Sequence, residues 1–136
     1  MGLTVLDAGV VIALLDASDR HHAEARRALE QALLAADELV LPVSAYAEAL
    51  VGPMRRGAAE AAIVDALVDA LPARVEPASR LIAQRAAQLR ARFGVGLRLP
   101  DALVIATALH LGADRIITTD AGWPKVDVPV EVLHAP

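Results

Sequence analysis

The sequence predicts an α/β domain in which a parallel sheet is covered by helices, and three observations carry that prediction. Short apolar segments of strand length alternate with longer Ala-rich segments whose apolar residues recur at helical spacing. Hydrophobic residues make up 56% of the chain and aromatic residues only 2%, so the core is built from Ala, Leu, Val and Ile, which favours closely packed helices. The length of 136 residues suits one ordinary domain with a core of its own, and residues 1–136 are read as a single domain.

Leu3 to Leu6 reads as a first buried strand, followed after Asp7 by a short helix from about Val10 to Leu15. Ser18 is expected to cap a second helix that ends near Asp37. It has Ala23, Ala28 and Leu29 on a packed side and Glu24, Arg26, Arg27 and Glu30 elsewhere. Leu39 to Leu41 is a second short strand. Pro42 and Ser44 open a helix toward Val51, with Gly52 and Pro53 expected to stop it. Ala58 to Leu71 and Pro77 to Phe93 are two further amphipathic helices. Gly94, Gly96 and Pro100 mark a loop, and Asp101 to Leu111 is an almost wholly apolar, hence buried, helix ended by Gly112. Arg115 to Thr118 is a strand and Gly122 to Pro124 a turn. Val128 to Leu133 is a last strand that Pro129 assigns to an edge.

Composition narrows the function. Mean hydropathy is +0.46, yet charges interrupt every run approaching the roughly 20 apolar residues a bilayer span needs. No basic stretch precedes the first apolar segment, so a cytoplasmic location with no membrane attachment is expected. With no cysteine, thiolate metal sites and disulfides are excluded, and any metal must be held through oxygen or the four histidines. That favours Mg²⁺ or Mn²⁺ over Zn²⁺. The net charge of −4 opposes nucleic-acid binding through the overall field. With four of the 17 acids gathered in one site, however, 13 remain against 13 basic residues, and bound cations would make that site attractive to phosphate.

The informative acids are those that ordinary packing does not ask for. In an open parallel sheet the ligand site lies beyond the carboxyl ends of the strands. Asp7 follows Leu3-Thr4-Val5-Leu6 and Asp120 follows Ile116-Ile117-Thr118-Thr119, so both emerge at one rim, although an Asp there also serves as a turn former or cap. Glu48 is the only charge between Val43 and Val51, where burial normally excludes it unless it faces a polar cleft, a cation or water. Asp101 stands in the first turn of the apolar helix, where the helix dipole alone could account for it.

In order and spacing, Val5-Leu6-Asp7, Ala47-Glu48, Leu99-Pro100-Asp101-Ala102 and Thr118-Thr119-Asp120 resemble the acidic motifs of PIN-domain proteins, with the VapC-type toxins the nearest likeness. The resemblance spans nearly the whole chain. It implies a three-layer α/β/α fold around a mostly parallel sheet, a Mg²⁺- or Mn²⁺-dependent endoribonuclease, a homodimer, and inhibition by a cognate antitoxin protein. Two departures stand out. Many relatives place a Ser or Thr just after the first Asp, where this chain has Ala8 and Gly9, and some carry a further acid soon after the fourth, where it has Ala121-Gly122-Trp123.

Hydrolysis of an RNA phosphodiester needs an activated water and a cation to absorb charge on the transition state. Asp7 and Asp120 are expected to bind metal most directly, with Glu48 and Asp101 completing the shell and orienting the water. Thr118 is expected to hydrogen-bond one of them, and mutual repulsion should raise at least one carboxyl pKa. Arg98, Arg55 and Arg56 are the candidate RNA contacts. Tyr46 and Trp123 could stack on bases, though packing is the more ordinary use, and His21 and His22 read as surface residues. One alternative is a catalytically silent PIN-like module that binds RNA or protein. A second, a phosphoacceptor domain using Asp7, lacks the acid two positions later and has no obvious lysine beyond Lys125.

Overall fold

The computed structural model describes all 136 residues. Five strands, β1 (Leu3–Leu6), β2 (Glu38–Pro42), β3 (Ala73–Glu76), β4 (Arg115–Thr118) and β5 (Val130–Val132), form one sheet in the order β3-β2-β1-β4-β5. Every pairing is parallel. Six helices flank it: α1 (Ala8–Leu15), α2 (His22–Leu34), α3 (Val43–Arg56), α4 (Ala58–Ala70), α5 (Arg80–Phe93) and α6 (Leu99–Leu111). The result is the expected three-layer α/β/α arrangement. Leu6, Leu39, Leu41, Ile105, Ile116 and Ile117 are fully buried between the layers. No helix is long and apolar enough to cross a membrane.

Local chemistry sets most of the boundaries. The Asp7 carboxylate accepts from the Ala8 amide (2.8 Å) and starts α1, and the Ser79 hydroxyl accepts from the Ile82 amide (3.2 Å) and starts α5. Pro100 occupies the first turn of α6, and Gly112 ends that helix at φ 64°, ψ 38°, a left-handed conformation that suits glycine.

Four expectations are corrected. Ser18 does not cap α2. Its amide and hydroxyl instead turn back to Asp16 (2.9 and 2.6 Å), and α2 starts at His22 behind a turn. That helix packs through Ala25, Ala28, Leu29 and Ala32, leaving Ala23 exposed, and it ends at Leu34, before Asp37. Gly52 and Pro53 do not stop α3, which runs through a buried Pro53 to Gly57, where φ reaches 137°. A proline gives up one backbone bond, and packing against α1 and α4 carries the helix past it. Finally, Ala73–Glu76 is an unanticipated edge strand. Its polar residues are tied sideways, Arg74 reaching Glu38 (3.1 Å) and Glu76 (2.6 Å), and so leave no apolar run to read.

The topology creates a crevice. From β1 the chain moves outward to β2 and β3, then returns to the other side of β1 for β4 and β5. Where the strand order reverses, the loops leaving neighbouring strands part company, opening a cleft beyond the carboxyl ends of β1 and β4. Asp7 and Asp120 flank that cleft.

Candidate active site

Asp7 is built into the crevice wall. Its side chain is 7% exposed, and both oxygens are held: Oδ1 accepts from the Ala8 amide at 2.8 Å and Oδ2 from the Thr118 hydroxyl at 2.7 Å. Thr118 Oγ1 in turn accepts from the Asp120 amide at 3.0 Å, which commits its proton to Asp7. One buried hydroxyl at the end of β4 therefore fixes both strand-end acids, supplying the support that Ala8 and Gly9 do not. Position 9 has no room for a side chain, because a Cβ there would overlap Thr119. Burial pushes the Asp7 carboxyl from 3.8 up to about 6. The two hydrogen bonds work against this, and the nearby Asp101 and Glu48 charges add to it.

Asp101 and Glu48 form the other wall. Asp101 projects from the first turn of α6 and is 7% exposed, and Glu48 is half-buried on α3. Burial raises both carboxyls. Asp101 adds to the rise at Glu48, and Asp120 adds to the rise at Asp101. Arg98, one turn earlier in the chain, opposes both shifts. Its Nε lies 3.4 Å from Asp101 Oδ2, and its side chain is 70% exposed. Asp7, Glu48 and Asp101 thus lie within electrostatic reach of one another, and Asp120 joins them through Asp101. They do not yet form a coordination shell, since no three Asp, Glu or His side chains are gathered closely enough to hold a metal ion.

The sequence matches the PIN domain family over residues 4–129. The chain belongs to the PIN-domain family. No protein of curated function matches it. Solved structures of similar fold include the toxin VapC20 of Mycobacterium tuberculosis, described as cleaving the sarcin-ricin loop (TM-score 0.67, 20% identity, 83% of this chain and 86% of that one). VapBC2 of Rickettsia felis, bound to a promoter DNA fragment, has a TM-score of 0.75 at 12% identity over 97% of this chain and 99% of that one. A toxin-antitoxin complex from Klebsiella pneumoniae has a TM-score of 0.68 at 24% identity over 89% and 92%.

In this PIN domain the donor chemistry fits a hard divalent cation: oxygen ligands only, short of positive charge, with Asp7 oriented in advance. Their present spacing requires some side-chain movement before they can close on one. Of the aromatic candidates, Tyr46 is engaged elsewhere, its hydroxyl donating to Asp65 on α4 (2.5 Å). Arg56 lies over Gly52 and faces Asp16 across a cleft of about 520 Å³ that reaches Glu48. His21 and His22 are half-buried rather than superficial, His21 beside Asp19 and the His22 ring against the Ala13 carbonyl (2.7 Å). Trp123 packs against the core, the ordinary use expected for it, and what sequence reasoning missed is its neighbour Asp101. Its indole Nε1 is buried without a hydrogen-bond partner and faces Asp101 closely enough to favour that charge. Only its position three residues after Asp120 could have hinted at this.

Proposed function

We propose that this PIN domain is a Mg²⁺-dependent endoribonuclease, with Mn²⁺ able to substitute, acting in the cytoplasm as the toxin of a toxin-antitoxin pair. The observation that carries the reading is the upward shift of three carboxyls in one crevice, Asp7 to about 6, with Glu48 and Asp101 moved in the same direction. Carboxylates buried together, with repulsion adding to the cost of burial, are costly unless a cation joins them.

Asp7 and Asp120 would hold the ion most directly, and Glu48 and Asp101 would complete its surroundings. When bound, a divalent cation offsets charge on the phosphoryl oxygens and makes water nucleophilic near neutral pH. Thr118 keeps Asp7 in one rotamer, so the carboxylate needs no reorganisation. Glu48, half-buried on α3 and less enclosed than Asp7 and Asp101, is suited to orient the attacking water. The assemblies of the similar structures support an antitoxin partner. Apolar side chains left exposed along α3, Val51 at 49% and Met54 at 60%, suit cover by that partner or by a second copy in a homodimer.

The test incubates the purified protein with mixed transfer, ribosomal and messenger RNA in Mg²⁺, Mn²⁺ or EDTA, beside Asp7→Asn and Asp101→Asn. Cleavage confined to the wild type with metal is expected. Cleavage that survives EDTA or both substitutions would refute the reading. The absence of a closed ligand cluster favours one second reading, a silent module that binds RNA without cutting, and the same assay separates it by retained binding with no products.

A further inference from the structure

Arginine is handled differently on α2 and α5. On α2 each arginine has an acid one turn away, Arg26 beside Glu30 (3.5 Å) and Arg27 beside Glu24 (3.3 Å). On α5, none of Arg80, Arg85, Arg90 and Arg92 forms an ion pair, and the helix itself contains no acid. Residues 77–100 hold five arginines and no acid, so all 17 acids and only eight of the 13 basic residues lie elsewhere in the chain. Solubility asks for no such segregation, since interspersed charges serve it as well. Unpaired cations gathered on one face suit a polyanion.

These cations line a groove. Between α5 and α6, Gln84, Arg85, Gln88 and Arg92 stand around a volume of about 400 Å³, with Leu81 and Leu109 supplying apolar surface. Arg85 and Arg92 are both exposed, and two helical turns set them roughly 10 Å apart along α5. The Arg92 guanidinium lies 4.9 Å from the centre of the Phe93 ring, a contact that steadies it. Beyond Arg92 the positive charge continues to the acidic crevice, because residues 94–98 alone separate α5 from α6. Arg90 donates to the Leu97 carbonyl (2.8 Å), and the next residue, Arg98, lies 3.4 Å from Asp101.

We propose that the groove between α5 and α6 binds single-stranded RNA beside the scissile phosphodiester, with Arg85 and Arg92 on its backbone and Gln84 and Gln88 on base edges. The inference rests on the ribonuclease reading of the crevice and names the form of RNA and the path it takes. Guanidinium forks match phosphate oxygens two at a time, and a glutamine amide offers a base edge both a donor and an acceptor. Apolar surface between them suits unstacked bases, which a duplex keeps inside its own stack. An acidic protein segment would also answer the arginines, but a path that ends beside the crevice acids favours the polymer being cut. A second copy of this chain is disfavoured there, since two such faces repel.

Binding is read by fluorescence anisotropy, with Ca²⁺ in place of Mg²⁺, for a labelled single-stranded RNA of about 12 nucleotides, a hairpin duplex with as many phosphates, and a polyglutamate peptide. The proteins are the wild type, Arg85→Ala/Arg92→Ala and, as control, Arg26→Ala/Arg27→Ala. All four positions are exposed, so both variants should fold. The α5 variant should bind the single strand about 10-fold more weakly, and its slope of log affinity against log salt should flatten by about 1.4, or ~0.7 for each lost phosphate contact. A purely structural role would weaken binding without flattening that slope. The α2 variant should match the wild type, and the wild type should bind the duplex more weakly than the single strand. Absent RNA binding, equal losses in both variants, an unchanged slope, preference for the duplex, or polyglutamate binding that the α5 substitutions abolish overturns the proposal. If the slope flattens but the wild type cuts no RNA in Mg²⁺, the groove stands and the nuclease reading falls. If metal-dependent cleavage appears and the α5 variant binds and cuts like the wild type, the reverse holds.

Discussion

The two ends of the sheet treat their acids in opposite ways. At the amino end every carboxylate is answered. Asp37 accepts from the Gly2 amide (2.9 Å) and the Thr4 hydroxyl (3.0 Å) and lies 3.7 Å from Arg115, and that guanidinium also reaches Glu131 at 2.6 Å and Thr4 at 3.1 Å. Asp114 is held by the Leu3 amide at 2.7 Å. At the carboxyl end one exposed arginine, Arg98, faces only Asp101 and Glu48, and three acids are pushed upward in pKa. The same strands that neutralise charge at one end accumulate it at the other. Folding gains nothing from that accumulation, so the carboxyl end is arranged for something the chain does not itself contain.

Substitutions at the two ends should separate activity from stability. The largest effect is expected from Asp7→Asn. RNA cleavage should fall roughly a thousandfold, beyond the roughly 10- to 100-fold typical of a supporting partner, while the metal-free protein becomes more stable near neutral pH. The pH dependence follows from the same group. Folding raises Asp7 from 3.8 to about 6, so the folded chain holds the proton more tightly than the unfolded chain. Its contribution is intact below pH 3.8 and is lost as pH climbs to about 6, a fall of about 3 kcal/mol. Denaturant unfolding of the metal-free wild type should show that decline, and Asp7→Asn should lack it. Arg115→Ala at the other end should cost about 2 kcal/mol by stranding Asp37 and Glu131, with cleavage unchanged once the protein is folded. Thr118→Val, nearly isosteric, should lower cleavage about 10-fold by freeing Asp7 and the Asp120 amide. If Arg115→Ala abolished cleavage in folded protein, or Asp7→Asn destabilised it, the two ends would not differ as described.

Much of this contrast was legible in the sequence. Acids immediately after apolar strands, as at Asp7 and Asp120, are visible because the strand pattern fixes where the rim lies. Glu48 was visible because it is the only charge between Val43 and Val51. The amino-end network was not, since Asp37, Arg115 and Glu131 look like ordinary surface residues until the register of β2, β1, β4 and β5 brings them together. The edge strand Ala73–Glu76 was missed for a related reason, its identity resting on pairing with β2 rather than on a run of apolar residues. Arg98 and Trp123 were named as candidates, but their placement beside Asp101 was not legible, because spacing does not say which atoms face that carboxylate. Gly52-Pro53 misled because tertiary packing overrode a local stop signal.

The central claim is that the carboxyl-end acids lack a positive charge that a divalent cation supplies. The most direct test is thermal unfolding at neutral pH with and without Mn²⁺, in the wild type and in Asp7→Asn. The wild type should gain stability with Mn²⁺ in a concentration-dependent way and Asp7→Asn should gain little or none. Equal gains in both proteins, or no gain in the wild type, would contradict the account.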